Sequence, residues 1–502
     1  MSASREKIRR QEERDNGTDK RAQQILDKKK DAKRTKRIAI LVTAAFLVLA
    51  LVVVLLSTSL LYGLTAIRCG DVRYSTADYN YFYGNLYNNY YSTYQSYYGE
   101  YAQYFMPDSE TIRADVLESM EDAALLFSQA KKAGYELSEE GQRTVDMAVR
   151  SVEVYAQLNG VSKSAYLRNM YGDGVTMRVF KRNVERTTLA AEYQQYMLNS
   201  FEFSDDECES YYVEHADQFD IIQYRSYFIT GAAVEDDPDT EEDETVTAED
   251  AMAEAKIFAE EFVSRLKKGE TFAELAYEYS NESATYEDED ATLHEFPGGS
   301  LSDSYSDWLL DDTRKMGDAE VAEYTSGYYV VQYLGRTGND YVTKNVRHVL
   351  IRAADVNQAD YDTPAAYDNA VEVAQQAAHD RAQELYEAWL GDDLTEQSFL
   401  ELADAFSNDT NAPGGLYENV YKGEMQKPFE DWCYDASRQP GDTGLIQTDY
   451  GWHIMYFVGD GEIYRKVLAD NALKNAAYDD WEAELAPDFE YHTNLFYNLY
   501  CK

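Results

Sequence analysis

Phe399-Leu-Glu-Leu-Ala-Asp-Ala-Phe-Ser-Asn-Asp409 echoes, position by position, Phe272-Ala-Glu-Leu-Ala-Tyr-Glu-Tyr-Ser-Asn-Glu282. The match continues downstream. Pro413-Gly-Gly follows the later copy and Pro297-Gly-Gly the earlier, and Asp431-Trp432 answers Asp307-Trp308. Each copy closes on an aromatic strand after a glycine, Gly451-Trp-His-Ile-Met and Gly327-Tyr-Tyr-Val-Val. Each opens on a short β-rich run, Val346–Arg352 and Tyr224–Thr230. The chain therefore holds two homologous units, about 343–459 and 222–336. The order strand, helix, helix, strand predicts an α+β fold, a small sheet with helices packed on it. Thr247-x-x-Asp250 caps a helix with Phe258, Phe262 and Leu266 on one face. Thr363-Pro364 starts the corresponding helix in the later copy, and Gly391 follows it.

Upstream, residues 70–218 read as helical. Tyr83, Tyr87, Tyr90, Tyr94, Tyr97, Tyr101 and Tyr104 step by four and three, which predicts one helix face for all seven. That stripe is either a packing seam or an aromatic groove for unfolded chains. Asp108-Ser109 caps the next helix, whose face holds Ile112, Leu117, Met120 and Leu125. Further helical patterns run over Glu139–Leu158 and from Lys163 through Leu198. Residues 235–250 carry 10 Asp/Glu and read as a solvated acidic loop without an EF-hand pattern. After Gly459 a helical tail with Trp481, Leu485, Phe496 and Tyr500 is expected to dock on another domain.

Charge divides the chain. Residues 1–37 carry a net +7 and the remainder −53, within a total of −46 over 502 residues. So acidic a body repels nucleic acid, whose binding needs Lys/Arg to neutralise phosphate. Ile38–Leu61 is free of charge and follows Lys33, Arg34, Lys36 and Arg37. Its 24 residues would make a helix of about 36 Å, which predicts a transmembrane helix over 38–62. The positive-inside rule would leave 1–37 in the cytoplasm and the body outside. Cys69, Cys208, Cys433 and Cys501 show no zinc spacing and no disulfide framework. Cys69 with Cys501 is the single pairing considered. No cofactor or metal is implied.

The later unit resembles the parvulin family of prolyl isomerases. The resemblance rests on Arg347-His-Val-Leu-Ile, Phe406-Ser-Asn-Asp, Pro413-Gly-Gly-Leu, Gly423-Glu-Met-Gln-Lys-Pro-Phe-Glu-Asp and Thr448-Asp-Tyr-Gly-Trp-His-Ile, in the family's order over about 115 residues. It implies catalytic-pocket roles for His348, Asp409 and His453. It implies a proline-binding wall of Met425, Gln426 and Phe429, with Leu416 added. No Lys/Arg cluster follows Arg352, so phosphoserine-proline specificity is not expected. The earlier unit has Ser226, Tyr329 and Glu282 where the later one has His348, His453 and Asp409, and Leu301 and Tyr305 for Met425 and Phe429. It reads as a silent copy.

The whole layout resembles SurA-like chaperones and PrsA-like foldases. The implied segments are a basic tail 1–37, the membrane helix 38–62, a helical chaperone-like domain 63–218, a degenerate parvulin-like domain 219–336, a parvulin domain 341–460 and a C-terminal helical segment 461–502. The implied function is a single-pass foldase of a Gram-positive-type cell membrane. It would isomerise X–Pro bonds and chaperone unfolded, newly exported clients. A non-catalytic holdase with vestigial parvulin domains is the alternative, and an adhesin using the tyrosine-rich module is a third reading. Whether the chain forms a homodimer through that module is left open by the sequence.

Overall fold

The computed structural model describes residues 2–17, 20–57, 61–231, 247–288, 290–391, 394–409 and 412–501. Most of the expected acidic loop at 235–250 lies outside them. Eleven strands occur among these residues: β1 (Thr65–Cys69), β2 (Val72–Ser75), β3 (Ile221–Thr230), β4 (Leu293–Pro297), β5 (Ala319–Tyr324), β6 (Gly327–Thr337), β7 (Val342–Ile351), β8 (Leu416–Val420), β9 (Thr443–Thr448), β10 (Gly451–Ile463) and β11 (Tyr491–Thr493). The chain divides into two compact units. One joins residues 1–201 to 477–502, and the other is the continuous stretch 202–476.

The first unit is mainly helical. Ser75 begins the helix Thr76–Tyr98 with a capping box, its hydroxyl taking the Asp78 N–H while the Asp78 carboxylate takes the Ser75 N–H. Such a cap stabilises by about 1 kcal/mol. Helices Ser109–Ala133, Glu139–Leu158, Lys163–Tyr171 and Met177–Ser200 follow, capped by Asp108, Ser138, Ser162 and Thr176. The pattern from Lys163 to Leu198 is thus two helices rather than one. Gly174 sits at φ +85°, and a Cβ there would lie 2.4 Å from Tyr62 Cβ. Only glycine fits that bend. The core gathers Ile67, Tyr74, Tyr79, Met120, Leu125 and Leu167 with Tyr478, Phe489 and Cys501 of the tail. β1 lies between β2 and β11, both antiparallel, with Ile67 opposite Thr493 and Cys69 opposite Tyr491.

The tyrosine stripe is not one face of one helix. The helix stops at Tyr98, Gly99 breaks it, and Tyr101 and Tyr104 ride on the 3-10 turn Gly99–Tyr104. Tyr83 and Tyr90 pack on the core, whereas Tyr97, Tyr101 and Tyr104 are 78, 60 and 75 % exposed. All four cysteines are free and buried, so Cys69 and Cys501 are not bridged.

The expected membrane anchor is overturned. Among the described residues no helix is long and apolar enough to cross a membrane. The uncharged run shares the continuous helix Lys20–Ser57 with a strongly cationic first half.

The second unit holds two four-stranded antiparallel sheets of the same order, β4-β3-β6-β5 and β8-β7-β10-β9. Helices Ala248–Leu266 and Phe272–Tyr279 cover one face of the first, and Pro364–Leu390 and Glu396–Phe406 one face of the second. The strand period of two sorts the second sheet cleanly. Val349, Ile351 and Ile454 meet the helices, while Val346, Met455 and Phe457 face Phe429 and Cys433 on the other side.

The segment between the sheets is tied down. Asn339 Nδ2 donates to Tyr212 Oη (3.0 Å) and to Phe219 O (2.8 Å), and Arg465 pairs with Asp340 (2.7 Å) and Glu209 (2.5 Å).

Candidate active site

Register decides which side chains meet. On β7, Val346, His348 and Leu350 share a face, and on β10 His453, Met455 and Phe457 do. His348 stands opposite Met455, and Leu350 opposite His453. The two imidazoles are therefore diagonal neighbours on one face. Their centroids are 5.1 Å apart, the planes 20° from parallel, and Nδ1 faces Nδ1 at 2.9 Å.

Asp409 reaches them because Ser407-Asn408 is fastened along β7. The Leu350 N–H donates to Ser407 Oγ (3.1 Å), the Asn408 N–H to Leu350 O (2.7 Å), and the Arg352 N–H to Asn408 Oδ1 (3.0 Å). Asp409 Oδ2 then lies 2.9 Å from His348 Nε2 and accepts the Tyr417 hydroxyl at 2.8 Å. At the far end Thr448 Oγ1 meets His453 Nε2 at 2.7 Å. The result is a chain of five groups: Tyr417, Asp409, His348, His453, Thr448.

One proton assignment satisfies every link. An ionised Asp409 accepts Nε2–H of His348, which frees His348 Nδ1 to accept Nδ1–H of His453. His453 Nε2 then accepts the Thr448 hydroxyl. Both imidazoles are neutral in this scheme. Burial, reinforced by neighbouring His348 and opposed by Asp409, pushes the His453 pKa down to about 3. Burial first and the Asp409 bond second hold the Tyr417 hydroxyl well above its usual value.

These groups line a cavity of about 370 Å³ together with Met425, Gln426, Phe429 and Leu350. Phe429 presents its ring edge-to-face to both imidazoles, at 5.4 and 5.6 Å. Gln426 is held by a double hydrogen bond to Asp449, Nε2 to Oδ2 (3.1 Å) and Oε1 from the N–H (2.8 Å). Six of the seven expected residues thus converge. Leu416 does not: it pairs with Arg347 and takes that residue's face of the sheet, whereas Tyr417 pairs with Val346 on the pocket side. Sequence reading missed Tyr417 and Thr448. Thr448 had a usable signal, since it ends β9 at the tight hairpin that returns as His453.

In the first sheet Ser226 and Tyr329 occupy the registers of His348 and His453, opposite Val331 and Phe228. Their face is filled rather than hollow. Tyr224, Leu301 and Tyr305 are buried there against Tyr329, with the Tyr224 and Tyr305 hydroxyls 3.3 Å apart. Aromatic rings take the volume that a proline ring would need.

The PPIC-type PPIase domain profile matches residues 239–337 and 332–459. Chaperone SurA of Nitrosococcus oceani is 23 % identical over 358 residues, 70 % of this chain and 75 % of that one. Foldase protein PrsA of Caldanaerobacter subterraneus is 25 % identical over 227 residues, 45 % of this chain and 58 % of that one. The crystal structure of PrsA from Bacillus subtilis aligns over 59 % of this chain and 90 % of its own at 18 % identity, with a TM-score of 0.18. Two stretches of the chain are thus similar to the PPIC-type PPIase domain, within a sequence similar to SurA and PrsA.

Proposed function

We propose that the later unit catalyses cis/trans isomerisation of X–Pro bonds in unfolded, exported client polypeptides. The observation that carries this is the convergence of His348, Asp409 and His453 with Met425 and Phe429 on one cavity. Rotation about the bond must break amide resonance, a barrier of ~18–20 kcal/mol. Met425 and Phe429 would grip the pyrrolidine ring, and the chain beyond the cavity would be left to turn. In the twisted state charge leaves the carbonyl and the nitrogen becomes more pyramidal. A desolvated cavity with a fixed, neutral imidazole pair favours that state over the planar amide. His348, Asp409 and His453 are the catalytic residues of this proposal, and Met425, Gln426 and Phe429 bind the client. The segments 219–336 and 341–460 are then a silent and an active parvulin-like domain, 63–218 a client-binding module and 461–502 its returning segment.

Turnover of a proline peptide by the whole chain and by Asp409→Ala and His453→Ala tests this. Wild type is expected to exceed buffer and both variants to fall on the order of 10²-fold. Wild-type turnover equal to buffer eliminates the reading.

A second reading, a holdase, is favoured by the exposed Tyr97, Tyr101 and Tyr104. Exposed aromatic clusters of this kind mark interaction surfaces. Replacing all three with Ser should abolish suppression of client aggregation, and unchanged suppression removes the holdase from these residues.

A further inference from the structure

The two repeated units also differ where helix meets edge strand. In the earlier one a groove of about 560 Å³ lies between the helix Ala248–Leu266 and β5. Val263, Ala319, Val321 and Tyr328 form its apolar lining. The later unit is bridged at the same place, where Tyr386 Oη and Thr443 Oγ1 are 2.7 Å apart between the helix Pro364–Leu390 and β9. Ala255, Ala259 and Phe262 hold the core positions of Ala378, Ala382 and Leu385, which sets Val263 in the place of Tyr386. Ala319 opens β5 as Thr443 opens β9. Two smaller side chains therefore leave unbridged in the earlier unit what a hydrogen bond ties in the later. Among the described residues β5 pairs with β6 alone, over six residues without a bulge, so its outer edge has no strand partner. Such an edge offers main-chain donors and acceptors to an added strand.

We propose that the outer edge of β5 receives an extended client segment as a fifth strand, with apolar residues turned to the helix and a cation opposite Glu320. Strand alternation and charge select this occupant. Ala319 and Val321 face the helix side, so residues paired with them enter the apolar lining. Lys256 and Lys267 stand on the helix wall and turn a cation away from that side. Glu320 is exposed on the alternate side and makes no ion pair among the described residues, and opposite charges across a strand pair attract. The acidic body, −53 from residue 38 onward, draws cationic segments in. A second copy of this chain fits badly, because β5 paired antiparallel with itself over its full length sets Glu320 against Glu323 twice. The site belongs to the earlier sheet and does not depend on turnover in the later one.

The test uses the full chain and two short proline-free peptides, one alternating valine with lysine and the other valine with glutamate. Fluorescence anisotropy should show the lysine peptide binding about tenfold tighter. Glu320→Lys should reverse that order, a specificity switch made by exchanging one attraction for one repulsion. Val263→Tyr with Ala319→Thr copies the later unit's bridge into the groove and should weaken both peptides about tenfold or more. In hydrogen exchange the lysine peptide should slow the β5 amides and leave those of β9 unchanged. Binding that survives the bridging pair places the peptide elsewhere on the acidic body and overturns the site. An order of preference unchanged in Glu320→Lys, or β5 amides that exchange as fast with peptide as without it, overturns it equally, and neither readout needs the bridging pair to fold.

Discussion

His453 links the site to acid stability. Native His453 stays neutral down to about pH 3, whereas a free imidazole titrates near 6.5. Between those values the unfolded chain binds a proton that the folded one refuses, so His453 contributes fully above about 6.5 and its share is lost as pH falls towards 3. The melting temperature should therefore drop more between pH 7 and pH 4.5 in wild type than in His453→Asn, which keeps polar reach without the titration. Circular dichroism melts at the two pH values measure this, and equal drops would refute it. Tyr417 makes the second case. Tyr417→Phe removes one donor from Asp409 and should lower kcat/KM about tenfold while the fold persists. That side chain was illegible beforehand because Leu416 and Tyr417 are adjacent, and only the pairing of Tyr417 with Val346 tells which one faces inward.

The Pro413-Gly414-Gly415 turn shows why an element can be read more easily than its side chains. Arg347 Nη1 donates to Gly414 O (2.9 Å), and Gly415 lies at φ +68° with His348 O only 2.2 Å from where a Cβ would stand. The turn backs directly onto the strand that carries the first imidazole. Gly415→Ala should cost about 2–4 kcal/mol and push β7 off the pocket. Urea denaturation together with peptide turnover measures both effects. The two α+β units were legible because phenylalanine and alanine spacing on Phe272–Tyr279 and Glu396–Phe406 recurs without gaps. Elsewhere local pattern misled. Tyrosines stepping by four and three cross Gly99, where the helix gives way to a 3-10 turn, and the uncharged run after Arg37 belongs to the same helix as the basic residues before it. Periodicity registers side chains, but a single backbone angle ends a helix.

The two compact units are assembled differently. Residues 202–476 are one continuous stretch, whereas the helical unit takes its last strand and several core residues from 477–502. Deleting 490–501 removes β11 and Cys501 from that unit. Amides of the helix Thr76–Tyr98 should then exchange faster by about 10²-fold in hydrogen exchange, with those of β7 and β10 unchanged. Equal protection in the truncated chain would show β11 to be dispensable. The distance is telling: the Asn494 amide bonds Thr65 O across 429 residues of chain. On a ribosome adding ~5–20 residues per second, the strand that closes the helical unit emerges on the order of tens of seconds after the strand it joins. During that interval one edge of β1 lacks its strand partner while the continuous unit is being made. A polypeptide proposed to shelter others during their folding thus passes through an incompletely paired state itself, and β11 is the strand that ends it.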